Sequence, residues 1–353
     1  MNSNKRALLA LAIACATAAL TACGGDGGGS GNNGGNGGNG GNGGNGGSTT
    51  NLLFATDYTH GTVATFDSLT PTAQPWGPHV VETTPGGGQS IAYDSARDEL
   101  YVLVDWLGAP QFVHRVDVYA HASTMKAGAT PSRSITLPNF TQASAMSLDT
   151  GHDRLWVAGM RTSYANDGGE IDVFEHASAL TGSSIVADRR IVDIESIQNM
   201  ALDPTRGILY TVGGITNATA YAYAGTDTLA SGAKPSWTIA GAGSFGISLD
   251  VARDILYLPD VFTGLTIVHG ASTGAAATLV SVPFTSAGWQ LNTAAIDSAH
   301  DRLYLGAYNV AYVMDNASTM ASTATLPAPA ASAPATASGP GDYPVSIWSF
   351  AFP

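Results

Sequence analysis

Five copies of one short pattern dominate this sequence and constrain its fold more than any other feature. Each copy is an apolar run ending in Asp, a short turn that carries Arg or His, and then Leu followed by an aromatic residue. The anchoring aspartates are Asp94, Asp149, Asp203, Asp250 and Asp297, which lie 55, 54, 47 and 47 residues apart. A repeat of about 40–50 residues made of short β-type runs is typical of β-propeller blades.

Each copy continues into further runs that alternate apolar and polar residues. In the first copy, Val116-Asp117-Val118-Tyr119 follows the turn and the Leu-aromatic run, and Ser134-Ile135-Thr136-Leu137 follows later. Such alternation predicts half-buried strands. Four strands per copy is the composition of a propeller blade.

The two ends of the repeat region complement each other. Leu53–Asp57 and Thr62–Ser68 resemble the second and third strands of a blade that has no first strand, whereas Ser346–Phe352 is a strand without a blade. Pairing them would remove an open sheet edge. We therefore predict an all-β fold over residues 51–353: a six-bladed β-propeller closed by the C-terminal strand, with seven blades as the alternative. The Ala-, Pro- and Ser-rich stretch 319–338 is predicted to be an irregular loop.

The N-terminal residues predict a lipoprotein signal peptide over residues 1–22. Lys5-Arg6 precede an apolar run from Ala7 to Leu20, and Leu20-Thr21-Ala22-Cys23 matches the pattern at which bacterial lipoproteins are cleaved and lipidated. Cys23 would carry the lipid. Residues 23–50, almost only Gly and Asn, predict a flexible tether. Gly24 after the cysteine favours the outer membrane, and the expected localisation is a bacterial cell envelope, with the membrane reached through the lipid.

The charge of the chain narrows its partners. The formal net charge is −13, and charged residues make up only 12% of the chain. An acidic surface poor in Lys argues against nucleic acid as a partner. The unknown ligand could be a small molecule, a glycan or a protein.

The repeated charged residues are best interpreted as structural, because every blade needs them equally. An Asp at a strand end can accept hydrogen bonds from turn amides. The Arg or His that follows can pair with it or with the turn of a neighbouring blade. His121, His176 and His269 are predicted to cap equivalent turns after the third strand.

Candidate ligand-binding residues are those that differ between blades and lie near one end of the ring. They precede the innermost strands or follow the second strands, so that loops from all blades open on one face. The candidates are Asp57, Gln89, Asp105, Trp106, Arg161, Gln198, Asn199, Asp260, Asn292 and Tyr308. No catalytic residue and no cofactor is predicted for this site.

The repeats resemble the bacterial YVTN/NHL-type β-propeller proteins of the cell envelope, and Ile247–Tyr257 matches their pattern best. This resemblance implies a propeller fold and, as the first hypothesis, a lipid-anchored module that binds a ligand or a protein. The alternative resembles the calcium-dependent six-bladed gluconolactonases, which would make the chain a lactonase- or esterase-like hydrolase. Asp260, Asn292, Asn199 and Gln198, with Glu195 nearby, would then hold Ca²⁺.

Overall fold

The computed structural model describes most of the repeat region. The described residues are 53–57, 62–66, 74–75, 79–82, 88–106, 113–126, 128–137, 140, 142–160, 169–183, 185–195, 197–213, 219–241, 245–260, 263–284, 291–307, 310–327, 331–332 and 347–351. The predicted signal peptide, Cys23 and the predicted tether lie outside them.

The described chain is an all-β propeller. Its strands are, in chain order, β1 (Leu53–Asp57), β2 (Thr62–Phe66), β3 (Gln74–Pro75), β4 (His79–Glu82), β5 (Gly88–Asp94), β6 (Glu99–Trp106), β7 (Val113–Ala120), β8 (Arg133–Thr136), β9 (Gln142–Asp149), β10 (Arg154–Met160), β11 (Gly169–Glu175), β12 (Arg189–Ile194), β13 (Asn199–Asp203), β14 (Ile208–Val212), β15 (Thr219–Ala224), β16 (Trp237–Ala240), β17 (Ser248–Asp250), β18 (Ile255–Asp260), β19 (Gly264–His269), β20 (Thr278–Val282), β21 (Leu291–Asp297), β22 (Arg302–Ala307), β23 (Val310–Asp315), β24 (Ala331–Ser332) and β25 (Ile347–Ala351).

Five blades are built from consecutive strands. They are β5–β8, β9–β12, β13–β16, β17–β20 and β21–β24, numbered here first to fifth, and β3 adds a short parallel strand to the edge of the fifth. Within each blade the consecutive strands pair antiparallel. The stretch 319–338, predicted to be an irregular loop, contains β24, because Ala331 and Ser332 pair with Ala311 and Val310 at the beginning of β23.

A further four-stranded sheet joins the two ends of the repeat region in the order β25-β1-β2-β4, and it is called the composite sheet below. The pairing of the C-terminal strand with the first strand is confirmed: Phe54 lies opposite Ala351 and Thr56 opposite Ser349. The innermost strands β5, β9, β13, β17, β21 and β25 contact one another in that order, and β25 also contacts β5. The C-terminal strand therefore closes a circuit of innermost strands.

The core lies between blades. On β6, Leu100 and Val102 pack with Phe54 of the composite sheet, whereas Tyr101 and Leu103 pack with Leu155 and other side chains of the second blade. The alternation predicted half-buried strands. The central strands are instead buried on both faces, because each blade is covered by a neighbour on either side.

The anchoring aspartates have the predicted structural role. In all five copies the carboxylate accepts the backbone amide of the residue three positions later and bonds its Arg or His side chain. Arg206 and Arg253 also donate to the carbonyl oxygens of Val251 and Ser298 in the next blade. The turns therefore stabilise the strand ends and join neighbouring blades.

The second Asp of the turn bonds a Ser that follows the third strand of the same blade. Asp98, Asp153, Asp254 and Asp301 adopt positive φ angles of 52–57°. Their carboxylates accept both the amide and the hydroxyl of a Ser that follows the third strand, Ser272 in the case of Asp254.

The third blade lacks this Asp–Ser pair. Gly207 occupies the position of the second Asp and Asp227 occupies the position of the Ser, so that the two positions never hold two carboxylates in one blade.

The predicted turn-capping role of the histidines is wrong. His121 and His176 share their position with Gly225, Gly270 and Asn316; all five have left-handed backbone angles and none makes a side-chain cap. His269 is not equivalent, because it is the last residue of β19. The position selects residues that tolerate positive φ, among which Gly, Asn and His are enriched.

Candidate functional site

The two ends of the sheets differ in what their polar residues do. At one end lie the Asp-anchored turns between the first and second strands, called the turn edge. At the other, called the mouth edge, the second strands end beside the beginnings of the innermost strands. The register pairs that define it are Asp57 with Ile347, Val104 with Gly88, Met160 with Gln142, Val212 with Asn199, and Ala307 with Leu291. The predicted candidates lie in strands at this edge or in the chain that adjoins it.

The innermost strands are irregular at the mouth edge. The register shifts across Gln89 in β5, Ser144 in β9 and Asn292 in β21, and a similar shift occurs between β1 and β25. A β-bulge bends its strand, interrupts the ladder and re-aims a side chain, and bulges are frequent near functional sites. Two of these bulge residues, Gln89 and Asn292, belong to the predicted candidates.

Half of the predicted candidates have described side chains. Asp57, Gln89 and Trp106 are in strands at the mouth edge, but their side chains lie outside the described part of the chain. Arg161 and Tyr308 lie outside it entirely. The described candidates are Asp105, Gln198, Asn199, Asp260 and Asn292.

Two of these candidates use their oxygens locally. Asp260 is buried at the end of β18, and its Oδ1 accepts the amide and the hydroxyl of Thr263 at 2.8 and 3.0 Å. Asn199 Oδ1 accepts the amide of Met200 at 2.9 Å. Asp260 therefore stabilises its own turn, and Asn199 keeps chiefly its amide donors for a ligand.

Gln198 and Asn292 complete the described candidates. Gln198 precedes β13, is partly exposed, and its backbone amide donates to Val212 at 2.7 Å. Asn292 is buried at the bulge of β21, with 8% of its surface exposed. Two amide side chains at the mouth edge can both donate and accept hydrogen bonds, a chemistry that suits neutral polar ligands as well as peptides.

Glu195 lies in the connection between β12, the outermost strand of the second blade, and β13, the innermost strand of the third. Two residues later, the carbonyl oxygen of Ile197 accepts a hydrogen bond from Ser144 Oγ on β9 at 2.9 Å. The Glu195 amide donates to the hydroxyl of Tyr223 in the third blade at 3.3 Å. Burial, more than the nearby Glu195 charge, raises the pKa of Tyr223 to about 12, so that its hydroxyl stays protonated.

The residues of the calcium hypothesis have competing partners. Asp260 bonds Thr263 in its own turn, Asn199 bonds the adjacent Met200 amide in β13, and Glu195 lies in the connection between β12 and β13. Within the described part of the chain, no group of three or more His, Cys, Asp or Glu side chains is arranged to hold a metal ion.

Two ionisable residues at the mouth edge form a buried pair that our sequence reasoning missed in part. Asp105, near the end of β6, lies opposite His114, near the beginning of β7, and Asp105 Oδ1 is in hydrogen-bond contact with His114 Nδ1. Asp105 is 1% and His114 7% exposed. The sequence signal was available: the position of His114 is Gly169 in the second blade and Thr263 in the fourth, so His114 departs from the repeat.

A second group of buried charged residues, two carboxylates and one Arg, belongs to the outer half of a blade. Glu170 and Asp172 on β11 are both 1% exposed, and Arg190 on β12 forms an ion pair with each of them. The corresponding residues of the first blade are Arg115 and Asp117, which pair along β7 at 2.8 Å. The Arg190 pairs join the third and fourth strands of the second blade, whereas the Arg115–Asp117 pair lies within the third strand of the first.

Comparison with known proteins adds no relative. No protein-family model matches this chain, and no curated protein sequence matches it significantly. No helix among the described residues has the length and apolar character needed to cross a membrane. What is established is a repeat-built β-propeller, and its relation to any one propeller family rests on the repeat pattern alone.

Proposed function

We propose that this chain is a lipid-anchored propeller of the bacterial cell envelope that binds a ligand or a protein at its mouth edge. One observation carries the proposal: the charged residues common to all blades are bonded within and between the turns at the turn edge, whereas residues that differ between blades lie at the mouth edge beside bulged strands. In a repeat fold, residues that depart from the repeat are the ones free to serve a ligand.

The same proposal includes the finer architecture and the family. The composite sheet serves as a sixth blade, and the chain is related to the YVTN/NHL-type propellers of the envelope. The circuit of innermost strands through β25 and the repeat around Ile247–Tyr257 support this.

The anchor has a direct test. We expect the Cys23→Ser variant of the full chain to lose lipid attachment and move from the detergent-rich to the aqueous phase in Triton X-114 partition, because no other thiol lies at the cleavage motif. Metabolic labelling with palmitate gives the second measurement. Cys15→Ser, inside the predicted signal peptide, is the matched control and should leave both unchanged; equal partition of wild type and Cys23→Ser would refute the anchor.

The binding face is tested with the purified full chain in detergent. We screen glycans, short peptides and Ca²⁺ for an increase in the free energy of unfolding, which reaches about 2.7 kcal/mol when the ligand is at about 100 times its Kd. A ligand that stabilises wild type should fail to stabilise Gln198→Ala and Asn292→Ala. Asn316→Gly, at the turn edge and in a position where two blades already have Gly, should respond as wild type does.

Two outcomes would contradict the binding proposal. If the turn-edge variant lost binding and the mouth-edge variants kept it, the face would be wrong. If Ca²⁺ stabilised the chain and supported ester hydrolysis that Asp260→Asn removed, the hydrolase hypothesis would replace the binding module.

A further inference from the structure

Asp105 and His114 lie where the first and second blades meet at the mouth edge. Leu103 and Val116, two residues further into β6 and β7 on the same faces, belong to the apolar cluster between these blades. The amide of Ala143 on β9, the innermost strand of the second blade, donates to Asp105 Oδ1 at 3.4 Å. The pair therefore covers one end of an apolar seam and contacts both blades.

The contact with an ionised Asp105 carboxylate selects one tautomer of a neutral His114 ring. A carboxylate of this kind can only accept hydrogen bonds, so in that tautomer Nδ1 carries the proton and donates to Asp105 Oδ1. In the neutral ring, Nε2 then presents a lone pair. Nε2 has no hydrogen-bond partner among the described residues, and 6% of the His114 side chain is exposed whereas the Asp105 side chain is fully enclosed. Of the two side chains, the imidazole is thus the one with exposed surface.

The charge of the pair determines which ligands suit it. Asp105 Oδ2 is buried and receives no hydrogen bond from the described residues, and no Lys or Arg among them forms an ion pair with this carboxylate. A buried carboxylate that is only partly compensated is costly. A positive charge bound at Nε2 would lower that cost, whereas a phosphate or a carboxylate would raise it.

We propose that the mouth edge of the seam between the first and second blades binds a cationic N–H donor, the ammonium or guanidinium group of a Lys or Arg side chain in a partner peptide. His114 Nε2 accepts the hydrogen bond, and Asp105 is a positioning residue that holds the tautomer and supplies the negative charge. This inference rests on the proposed function of the mouth edge as the binding face, and it names the chemistry of one ligand group.

The test uses the full chain in detergent and the tripeptide acetyl-Gly-Lys-Gly-amide. The decisive variant is His114→Asn, because the Asn side-chain amide can still donate to Asp105 but has no atom at the position of Nε2. We expect it to weaken binding at least about tenfold, the effect of losing one hydrogen bond to a charged group, with an unchanged unfolding midpoint. His114→Gln, which returns an acceptor near that position, should recover part of the affinity.

The matched control is His300→Asn at the turn edge. His300 Nδ1 bonds Asp297 Oδ2 at 2.7 Å in the same kind of pair, so that this change is chemically identical and should leave the affinity for the peptide as in wild type. For Asp105→Asn, we expect weaker binding together with a mixed tautomer in long-range ¹H–¹⁵N spectra of the imidazole. A purely structural role for Asp105 would change stability without changing the tautomer.

Each other outcome overturns the inference and leaves the proposed function distinguishable from it. No binding of the lysine peptide at millimolar concentration, equal binding by His114→Asn, or His114-dependent binding of acetyl-Gly-Glu-Gly-amide, glucose or Zn²⁺ alone would each remove the cationic site. The mouth edge as a binding face would still stand if Gln198→Ala or Asn292→Ala abolished binding of a ligand from the screen.

Discussion

We expect that removal of residues 347–353 abolishes cooperative folding of this chain. β25 is the innermost strand of the composite sheet, and it contacts the innermost strands β5 and β21 of the blades on its two sides. Its loss leaves one edge of β1, at Phe54, Ala55 and Thr56, without its partner strand and opens two seams at once. A domain has a stability of only about 5–15 kcal/mol, so such a loss exceeds what the remaining ring can offset.

Urea and thermal unfolding followed by circular dichroism measure this effect. The shortened chain should give a broad, non-cooperative transition or should aggregate, whereas removal of Pro353 alone, beyond β25, should preserve the wild-type midpoint. A synthetic peptide of residues 344–353 added to the shortened chain should restore a cooperative transition by strand addition. A single sharp transition at the wild-type midpoint without residues 347–353 would show that closure of the circuit contributes nothing.

The parts of the fold that repeat were the parts that could be predicted. The Asp-anchored turn recurs five times, and a residue that every blade needs must serve the blade, so that the roles of Asp94 or Asp250 followed from the pattern. The pairing of β25 with β1 followed from a missing strand at one end and an extra strand at the other.

Predictions for single positions were less successful, for physical reasons. His121 looked like a capping side chain, but its position requires a left-handed backbone conformation. This requirement becomes visible in the sequence only when Gly225 and Gly270 are aligned with His121. Asp260 looked like a ligand-binding residue because it was correctly placed at the mouth edge, yet its carboxylate bonds Thr263 in the same turn. Local hydrogen bonds of this kind compete with ligand binding, and the repeat pattern in the sequence does not show them.

The pair of Asp105 and His114 could not be predicted from sequence spacing, because it depends on the register of one hairpin. The two residues are nine positions apart and become neighbours only through the register of β6 and β7. Asp105 was predicted as a ligand residue, but burial places it behind His114, so the accessible chemistry is that of the imidazole. A comparison of blades that includes the first residues of the third strands would also have identified His114.

Gly159→Ala should strongly destabilise the chain at the mouth edge. A Cβ atom on Gly159 in β10 would lie 2.1 Å from the carbonyl oxygen of Gln142 and 2.9 Å from Ala143 Cα. Both are backbone atoms of the bulged segment of β9, which a rotamer change cannot move. Overpacking of this kind costs about 3 kcal/mol, and we expect a loss of that size in the free energy of unfolding measured in urea.

The position of Ala143 connects this loss of stability to the site. The clash must displace the segment whose amide donates to Asp105, so Gly159→Ala should also weaken any binding that depends on His114. Gly151→Ala, in the exposed turn at the other end of the same hairpin, is the matched control: its Cβ would meet only Asp149 Oδ1, at 3.4 Å. We expect it to change stability by no more than about 0.5 kcal/mol. If both variants unfolded at the same urea concentration, the bulge of β9 would be free to move, and it could not hold Ala143 against Asp105.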